Sequence, residues 1–156
     1  MHTTWLRQAI ELAQANVTQG GRPFAALLVK DNQLVAQACN TMLQDLDPTA
    51  HAELSALRAG GKALHSVDLS GCVMYASGEP CPMCQAAMYM AGIREVHYAF
   101  SNADGEPYGL STAHIATEMQ RPPQARSGFR FVAADAKSKA AWPRLYHDWH
   151  QRQRQR

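Results

Sequence analysis

Four side chains of this sequence could together hold a metal ion and move a proton. His51 and Glu53 are separated by one residue, and Cys81 and Cys84 by two. Zinc prefers thiolate and imidazole ligands, and three protein ligands leave its fourth tetrahedral position open for water, which is the mark of a catalytic site. His51, Cys81 and Cys84 are therefore the candidate ligands of a catalytic zinc ion.

The placement of these residues supports a hydrolytic role. Cys81 and Cys84 fall in the first turn of a helix that we predict to open at Pro80, so both sulfurs can face one side, and the helix N-terminus favours their ionised form. A zinc ion held there would lower the pKa of the water that it binds. Glu53 can take a proton from that water and pass it to a ring nitrogen and then to a departing amine, which is hydrolytic deamination.

Each pair alone has a more ordinary interpretation. A Cys-x-x-Cys pair can be a redox pair, His51 can be a surface residue at a helix start, and Glu53 can be an acid favoured by the helix dipole. Taken together and in this order, with Pro80 before the first cysteine, the residues match the His-x-Glu and Pro-Cys-x-x-Cys signature of zinc deaminases.

The stretches Asp47–Glu53 and Glu79–Cys84 resemble the cytidine and deoxycytidylate deaminase superfamily, within the branch that holds bacterial guanine deaminase and the tRNA adenosine deaminases. The resemblance runs from about Pro23 to Phe100. It implies a three-layer α/β/α sandwich around a five-stranded mixed sheet, one zinc ion per subunit, and a homodimer.

The resemblance also implies roles for individual residues. His51, Cys81 and Cys84 would be the zinc ligands and Glu53 the proton shuttle. Three further residues would bind the substrate ring: Asn40 through hydrogen bonds, Phe24 by packing on the ring, and Ala52 through its backbone N–H.

Local likenesses point to a member of the branch that acts on a free base. Residues 23–31 and the Cys-Pro-Met-Cys core resemble guanine deaminase, as do the spacing of 109–122 and the closing helix around 137–142, which exchanges between subunits in that family. Residues 56–61 resemble the tRNA enzyme instead. We therefore predict zinc-dependent hydrolytic deamination of a free nucleobase or a related amino-heterocycle, with a small heterocyclic amine as the substrate.

Two departures leave the identity of the ring open. Ser111 and Thr112 stand where the guanine enzyme has an acidic residue, and Met90 stands where it has a tryptophan. Hydroxyl groups recognise a donor edge less well than a carboxylate does, so another purine, a pterin, a triazine or a pyrimidine remains an alternative.

Hydrophobic periodicity and turn residues predict an alternation of strands and helices. From residue 48 onward this alternation predicts a largely parallel sheet that is covered on both faces. The predicted helices lie from Trp5 to near Gly20, from Pro48 or Thr49 to Gly60-Gly61, from Pro80 to Gly92, over Ala113–Met119 and over Lys137–His150. The predicted strands are Phe24–Lys30 and Leu34–Cys39, joined as a hairpin, then Cys72–Ala76, Glu95–Phe100 and Phe129–Val132.

Length and composition fit one domain over residues 1–156. The chain has 156 residues, of which 46% are hydrophobic and 18% charged, and no apolar run approaches the length of a membrane helix. Four cysteines without an export signal favour reduced thiols. We therefore expect a soluble, cytoplasmic protein with no membrane partner.

Charge is distributed unevenly along the chain. Residues 1–120 hold six bases and eleven acids, a net charge of −5, whereas residues 121–156 hold nine bases and two acids, a net charge of +7. An acidic body argues against a general nucleic-acid domain, although the basic C-terminal helix and tail, 135–156, could contact RNA. A tRNA adenosine deaminase acting on a flipped base and a non-catalytic zinc-stabilised binding domain are the two alternatives.

Overall fold

The computed structural model describes all 156 residues, which form two compact units, Met1–Gln120 and Arg121–Arg156. The first unit contains the sheet and all the candidate site residues. The expectation of a single domain over the whole chain stays a prediction.

The sheet of the first unit has four strands in the order β2-β1-β3-β4. Strand β1 is antiparallel to both β2 and β3, and only β3 and β4 are parallel. The sheet is therefore mixed, and the prediction of a largely parallel sheet is wrong, because β1 lies between β2 and β3 and is antiparallel to both, although β2 and β3 themselves run in the same direction and are joined through a helix. The strands are β1 (Ala25–Lys30), β2 (Gln33–Cys39), β3 (Cys72–Gly78) and β4 (Val96–Phe100).

The predicted hairpin is confirmed. Strands β1 and β2 pair from Ala25 opposite Cys39 to Lys30 opposite Gln33. The two turn residues, Asp31 and Asn32, have φ angles of 51° and 59°. Positive φ at both central positions is the requirement of a type I′ turn, which aspartate and asparagine tolerate well.

Helices cover both faces of the sheet. Alternate residues of β1 point in opposite directions: Leu27 and Val29 pack with Ala9 of the first helix, whereas Leu28 packs in the cluster that contains Ala56 and other residues of the next long helices. The helices of the first unit are α1 (His2–Thr18), α2 (Met42–Asp45), α3 (Ala52–Leu64), α4 (Pro82–Met90), α5 (Asn102–Gly105) and α6 (Ala113–Met119), with a 3₁₀ turn at Glu106–Tyr108.

The predicted fifth strand does not form. Residues 129–132 have no regular secondary structure, and the sheet ends at four strands. Phe129 and Phe131 are about half exposed, and their rings contact each other edge to face at 5.1 Å between centroids. Alternating aromatic residues predicted a strand here, but a strand also needs a backbone partner, which this segment does not have.

The regular secondary structure of the second unit consists of a 3₁₀ turn at Pro123–Ala125 and two helices. The predicted helix over Lys137–His150 is divided into these two helices, α7 (Ala136–Lys139) and α8 (Leu145–Arg154). The interruption includes Pro143, which cannot donate a helical hydrogen bond. Helix α8 continues to Arg154, beyond the predicted end at His150.

Helix α3 begins later and ends later than predicted. His51 is its N-cap, and the helix passes through Gly60 and Gly61 to Leu64. A Cβ atom at Gly60 would lie 2.3 Å from Cδ2 of Leu28, which is fully buried in β1. The glycine therefore permits close packing of α3 on the sheet and does not end the helix.

We expect Gly60→Ala to destabilise the protein by about 1–2 kcal/mol, because overpacking against Leu28 outweighs the helix propensity that alanine gains over glycine. The free energy of unfolding in urea measures the change. In a Leu28→Ala background, where the space is available, the cost of the substitution should shrink or reverse. An increase in stability from Gly60→Ala alone would contradict this account of α3.

Candidate metal centre and active site

Two helix N-termini bring the candidate metal ligands together. His51 caps α3 and Cys81 caps α4, both in extended backbone conformation, and Cys84 lies in the first turn of α4. Nδ1 of His51 is 3.5 Å from Sγ of Cys81 and 3.5 Å from Sγ of Cys84. Both cysteines are buried and His51 is half-buried.

The three side chains fit a zinc ion. Tetrahedral zinc, with bonds of about 2.3 Å to sulfur and about 2.0 Å to nitrogen, places the two ligand atoms roughly 3.5 Å apart. The three ligand atoms lie within 4.8 Å of one another, and no other histidine, cysteine or acid belongs to the group. A donor set of two sulfurs and one nitrogen is the kind that zinc prefers, and it leaves one position for a non-protein ligand.

Hydrogen bonds within the group distribute the protons unequally between the two sulfurs. Bonds from the Cys84 thiol and from His51 lower the pKa of Cys81 to about 4. The bond to Cys81, followed by burial, raises the pKa of Cys84. The bond to Cys81 also raises the pKa of His51. The protein alone therefore stabilises one thiolate, and a metal ion has to displace the proton of the second.

Glu53 lies beside the ligands in the first turn of α3 and is only 6% exposed. Burial raises the pKa of its carboxyl group, and interaction with the neighbouring Cys84 side chain partly offsets this effect. A buried carboxyl group with a raised pKa next to a metal site suits proton transfer near neutral pH.

The predicted ring-binding residues lie on the segments around this group. Asn40 follows β2 and is buried; its Oδ1 accepts from the Met42 N–H at 3.1 Å, and its NH₂ group makes no hydrogen bond within the chain. Its backbone N–H donates to the carbonyl of Phe24 at 2.9 Å. Ala52 is the first residue of α3, where a backbone N–H has no partner within the helix.

A cavity of about 310 Å³ adjoins Phe24. Its walls include Gly78 and Glu79, which precede the Pro80-Cys81 pair, and Phe100 at the end of β4. None of the metal ligands lines this cavity, and neither do Asn40 and Glu53, so the cavity is distinct from the metal group. A Cβ atom at Gly78 would come within 2.9 Å of the Phe24 ring, so this glycine keeps the space for the aromatic side chain.

The positions that depart from the guanine deaminase pattern do not line this cavity. Oγ of Ser111 accepts from the Ala113 N–H at 3.1 Å, and the Thr112 N–H donates to Asn102 at 3.0 Å. Met90 is 86% exposed. The first two residues therefore serve the local turn before α6.

Asn16 is a site-supporting residue that sequence reasoning did not single out. Its buried Nδ2 donates to the carbonyl of Arg22 at 2.7 Å and to that of Asn40 at 3.1 Å. A Cβ atom at Gly21 would lie 2.5 Å from the same nitrogen. Asn16 follows Ala9 and Ala13 at helical spacing and therefore lies on the buried side of α1. A polar residue at such a position is the feature of the sequence that could have identified it.

Comparison with known proteins agrees with this geometry. The family described as the cytidine and deoxycytidylate deaminase zinc-binding region matches residues 1–100. The chain belongs to this deaminase family. As such it is a zinc-dependent hydrolase, and the predicted zinc cofactor is confirmed by the family together with the His51, Cys81 and Cys84 group.

This chain is similar to known guanine deaminases in sequence and in structure. The guanine deaminase of Bacillus subtilis strain 168 is 39% identical over 127 residues, 81% of each chain. Its crystal structure superposes with a TM-score of 0.86 at 34% identity, covering 97% of this chain and 94% of that one. The guanine deaminase of Nitrosomonas europaea superposes with a TM-score of 0.65 at 30% identity, covering 69% and 63%.

A tRNA-specific adenosine deaminase is also related. The protein of that name from Aquifex aeolicus is 33% identical over 95 residues, 61% of this chain and 63% of that protein. Deaminases of both kinds therefore share this domain, as the sequence resemblance indicated. None of the helices in this chain has the length and apolar character needed to cross a membrane.

We expect zinc affinity to fall about tenfold per pH unit for each proton that the ion displaces, as pH is lowered from 8 to 6. Cys84, whose pKa is raised, must lose a proton to bind, and His51 becomes increasingly protonated as pH falls. Competition with a chromophoric chelator measures the affinity. Cys84→Ser should abolish stoichiometric zinc, whereas Cys39→Ala, a thiol outside the group, should retain it. Zinc affinity that does not change with pH would contradict this ligand set.

Proposed function

We propose that this deaminase removes the exocyclic amino group of a free nucleobase or a related amino-heterocycle, and that guanine is its first substrate to test. The observation that carries the proposal is the buried carboxyl group of Glu53 against a three-ligand metal group. Similarity to the guanine deaminase of Bacillus subtilis over 81% of both chains supports the choice of base. The roles of the site residues below are part of the same proposal.

Each residue of the site has a chemical task. His51, Cys81 and Cys84 would hold a zinc ion, which would supply a water molecule with a lowered pKa. Glu53 would take a proton from the water and deliver it to the ring nitrogen beside the reacting carbon, and it would then carry the proton of the newly attached hydroxyl group to the departing amine. The ring carbon gains the oxygen of water and loses ammonia, so the reaction is hydrolytic and needs no redox partner.

The ring is held by donors and by apolar packing. The NH₂ group of Asn40 and the backbone N–H of Ala52 donate to acceptors on its edge, and the Phe24 side chain packs against its face. Because Asn40, Ala52 and Glu53 are all buried, these groups act where little water competes for the same hydrogen bonds.

The C-terminal unit is proposed to dock on a second copy of the chain, giving a homodimer with exchanged segments. The net charge of +7 on residues 121–156 complements the −5 on residues 1–120. Exposed aromatic residues in the second unit, Trp142, Tyr146 and Trp149, and exposed Tyr89 and Met90 on α4 supply apolar surface to cover. A cytoplasmic location completes this proposal, because the ligand thiols have to stay reduced.

A tRNA adenosine deaminase is the second candidate. The exposed arginines of α8 and the positive charge of residues 121–156 are the observations that favour it. Salt-sensitive binding of tRNA, with no turnover of free bases, would support this candidate. The third alternative, a non-catalytic zinc-stabilised domain, does not explain why Glu53 is buried beside the metal ligands.

We expect Glu53→Gln to bind one zinc ion and keep the melting temperature, yet to lose about 10²–10⁴-fold or more in kcat, because the amide cannot transfer the proton. Ammonia release from guanine, adenine, cytosine, isocytosine, pterins and triazines by the metal-loaded protein is the assay. Glu11→Gln, on the exposed surface of α1, is the matched control and should keep full activity. Turnover by Glu53→Gln above a tenth of the original rate would refute the role of Glu53.

We expect a molar mass in solution of twice 17.2 kDa, because the exposed aromatic surfaces and the opposite charges of the two units complement each other between copies. Light scattering coupled to gel filtration measures it. A monomer at micromolar concentration and physiological salt would overturn the proposed exchange without affecting the metal centre.

A further inference from the structure

The side-chain amide of Asn16 joins three segments of the chain next to the residues proposed to bind the ring. Asn16 lies near the C-terminal end of α1 and is buried. Its Nδ2 donates to the carbonyl of Arg22, before β1, at 2.7 Å and to the carbonyl of Asn40, after β2, at 3.1 Å. An amide NH₂ group has two hydrogens to donate, so both are used on main-chain acceptors of other segments.

Main-chain hydrogen bonds complete a closed cycle around this amide. The Phe24 N–H donates to the carbonyl of Arg22 at 2.8 Å, and the Asn40 N–H donates to the carbonyl of Phe24 at 2.9 Å. Starting from the Asn16 amide, the bonds therefore pass through Arg22, Phe24 and Asn40 and return to the same amide. Because the bonds of such a network support one another, the loss of one member loosens the rest.

The hydrogen bonds of Asn40 leave one polar group of this residue unengaged. Its backbone N–H and carbonyl belong to the cycle, and its Oδ1 accepts from the Met42 N–H at 3.1 Å. Its NH₂ group has no hydrogen-bond partner and keeps solvent-accessible surface, although the residue as a whole is only 3% exposed. Asn16 therefore holds the backbone of a residue whose NH₂ group is free to donate to a ligand.

Gly21 restricts the position of the Asn16 amide. A Cβ atom at Gly21 would lie 2.5 Å from Nδ2 of Asn16 and 2.8 Å from its Oδ1, far inside van der Waals contact. Only glycine lets the backbone approach the amide this closely. The N–H of Gly21 also donates to the main-chain carbonyl of Asn16 at 2.8 Å. The amide is therefore fixed by packing as well as by its two hydrogen bonds.

We propose that Asn16 is a positioning residue of the active site, which fixes Asn40 so that the NH₂ group of Asn40 meets the edge of a ring packed on Phe24. This inference rests on the proposed function, in which Asn40 and Phe24 bind the ring. It gives α1 a part in substrate recognition, although this helix carries none of the metal ligands and none of the ring-binding residues.

The kinetic test removes the Asn16 amide alone and together with Asn40. Asn16→Ala should raise KM for guanine by about 5–100-fold, the range expected when buried hydrogen bonds are lost. It should change kcat by less than about threefold, because the metal ligands and Glu53 lie on other helices. In an Asn40→Ala background the same substitution should raise KM by less than about twofold, because Asn16 acts through Asn40. Gly21→Ala should raise KM in the same way, because the added Cβ displaces the amide, and it keeps the test available if Asn16→Ala does not fold.

Two controls separate positioning from stability. Val29 is buried in β1 and packs with Ala9 of α1, so Val29→Ala should lower the melting temperature and leave KM within about twofold of the wild-type value. Gln8→Ala, which removes an exposed amide of the same helix, should change neither quantity. Every variant should bind one zinc ion. An equal rise in KM in Val29→Ala, or an Asn16 effect that persists undiminished in the Asn40→Ala background, would overturn the proposal and assign Asn16 a general structural role.

Hydrogen exchange tests the same role without a substrate. In the zinc-loaded protein, the backbone N–H of Asn40 should exchange about 5–100-fold faster in Asn16→Ala than in Val29→Ala, because only the first substitution removes a bond from the cycle that holds Asn40. Equal exchange rates at Asn40 in the two variants would overturn the proposal.

Calorimetry with hypoxanthine, a purine with no exocyclic amine to lose, separates this inference from the proposed function. The affinity of the zinc-loaded protein should fall by about 5–100-fold in Asn16→Ala and should not fall in Val29→Ala. If no ring releases ammonia while this loss of affinity is present, the proposed function fails and the role of Asn16 stands. If guanine is deaminated and Asn16→Ala matches the control in affinity, KM and exchange, the proposed function stands and the role of Asn16 fails.

Discussion

The site of this protein depends on one constraint: three ligand atoms from two helices have to meet within the length of two metal–ligand bonds. Nδ1 of His51 is 3.5 Å from each sulfur, a separation that a bound ion can bridge. No single segment of chain can achieve this, because His51 and Cys81 are thirty residues apart. The sheet achieves it, because α3 and α4 lie on the same face and begin at the same end.

The packing of the two helices therefore determines the distances between the metal ligands. Gly60 lets α3 approach β1 closely, and the ligand Cys84 is itself buried in the hydrophobic cluster that joins α3, α4 and the sheet. A shift of α3 by a fraction of an ångström would move His51 relative to both sulfurs. The same packing buries Glu53, and this burial raises the pKa of its carboxyl group.

A second set of contacts, around the residues proposed to bind the ring, is polar. The buried amide of Asn16 joins α1 to the residues before β1 and after β2, and Gly21 leaves room for it. In this way Arg22, Phe24 and Asn40 are positioned by hydrogen bonds, whereas the metal ligands are positioned by apolar packing. Directional bonds suit residues that recognise a ligand, because they restrict orientation as well as distance.

Features of this protein that depend on a short segment of chain could be predicted from the sequence, whereas features that depend on contacts between distant segments could not. The grouping of the three metal ligands and the hairpin turn at Asp31–Asn32 were predictable, because each belongs to a short motif whose residue types are dictated by coordination chemistry or by backbone conformation. The direction of β3 relative to β1, the four-stranded sheet and the course of α3 through Gly60 were not. Each of these is decided by what a segment packs against, and its partner lies far away in the chain.

The same distinction separates the residues of the site. The sequence by itself determined which metal the protein binds, and it is also the basis for proposing Glu53 as the residue that moves the proton, since the zinc deaminase signature contains both. Only the tertiary structure decided that Asn16 supports Asn40 and that the guanidinium group of Arg22 lies near the Phe24 ring. The physical reason is that a hydrogen bond between distant segments leaves no pattern in residue spacing, whereas a metal-binding motif is itself a pattern of spacing.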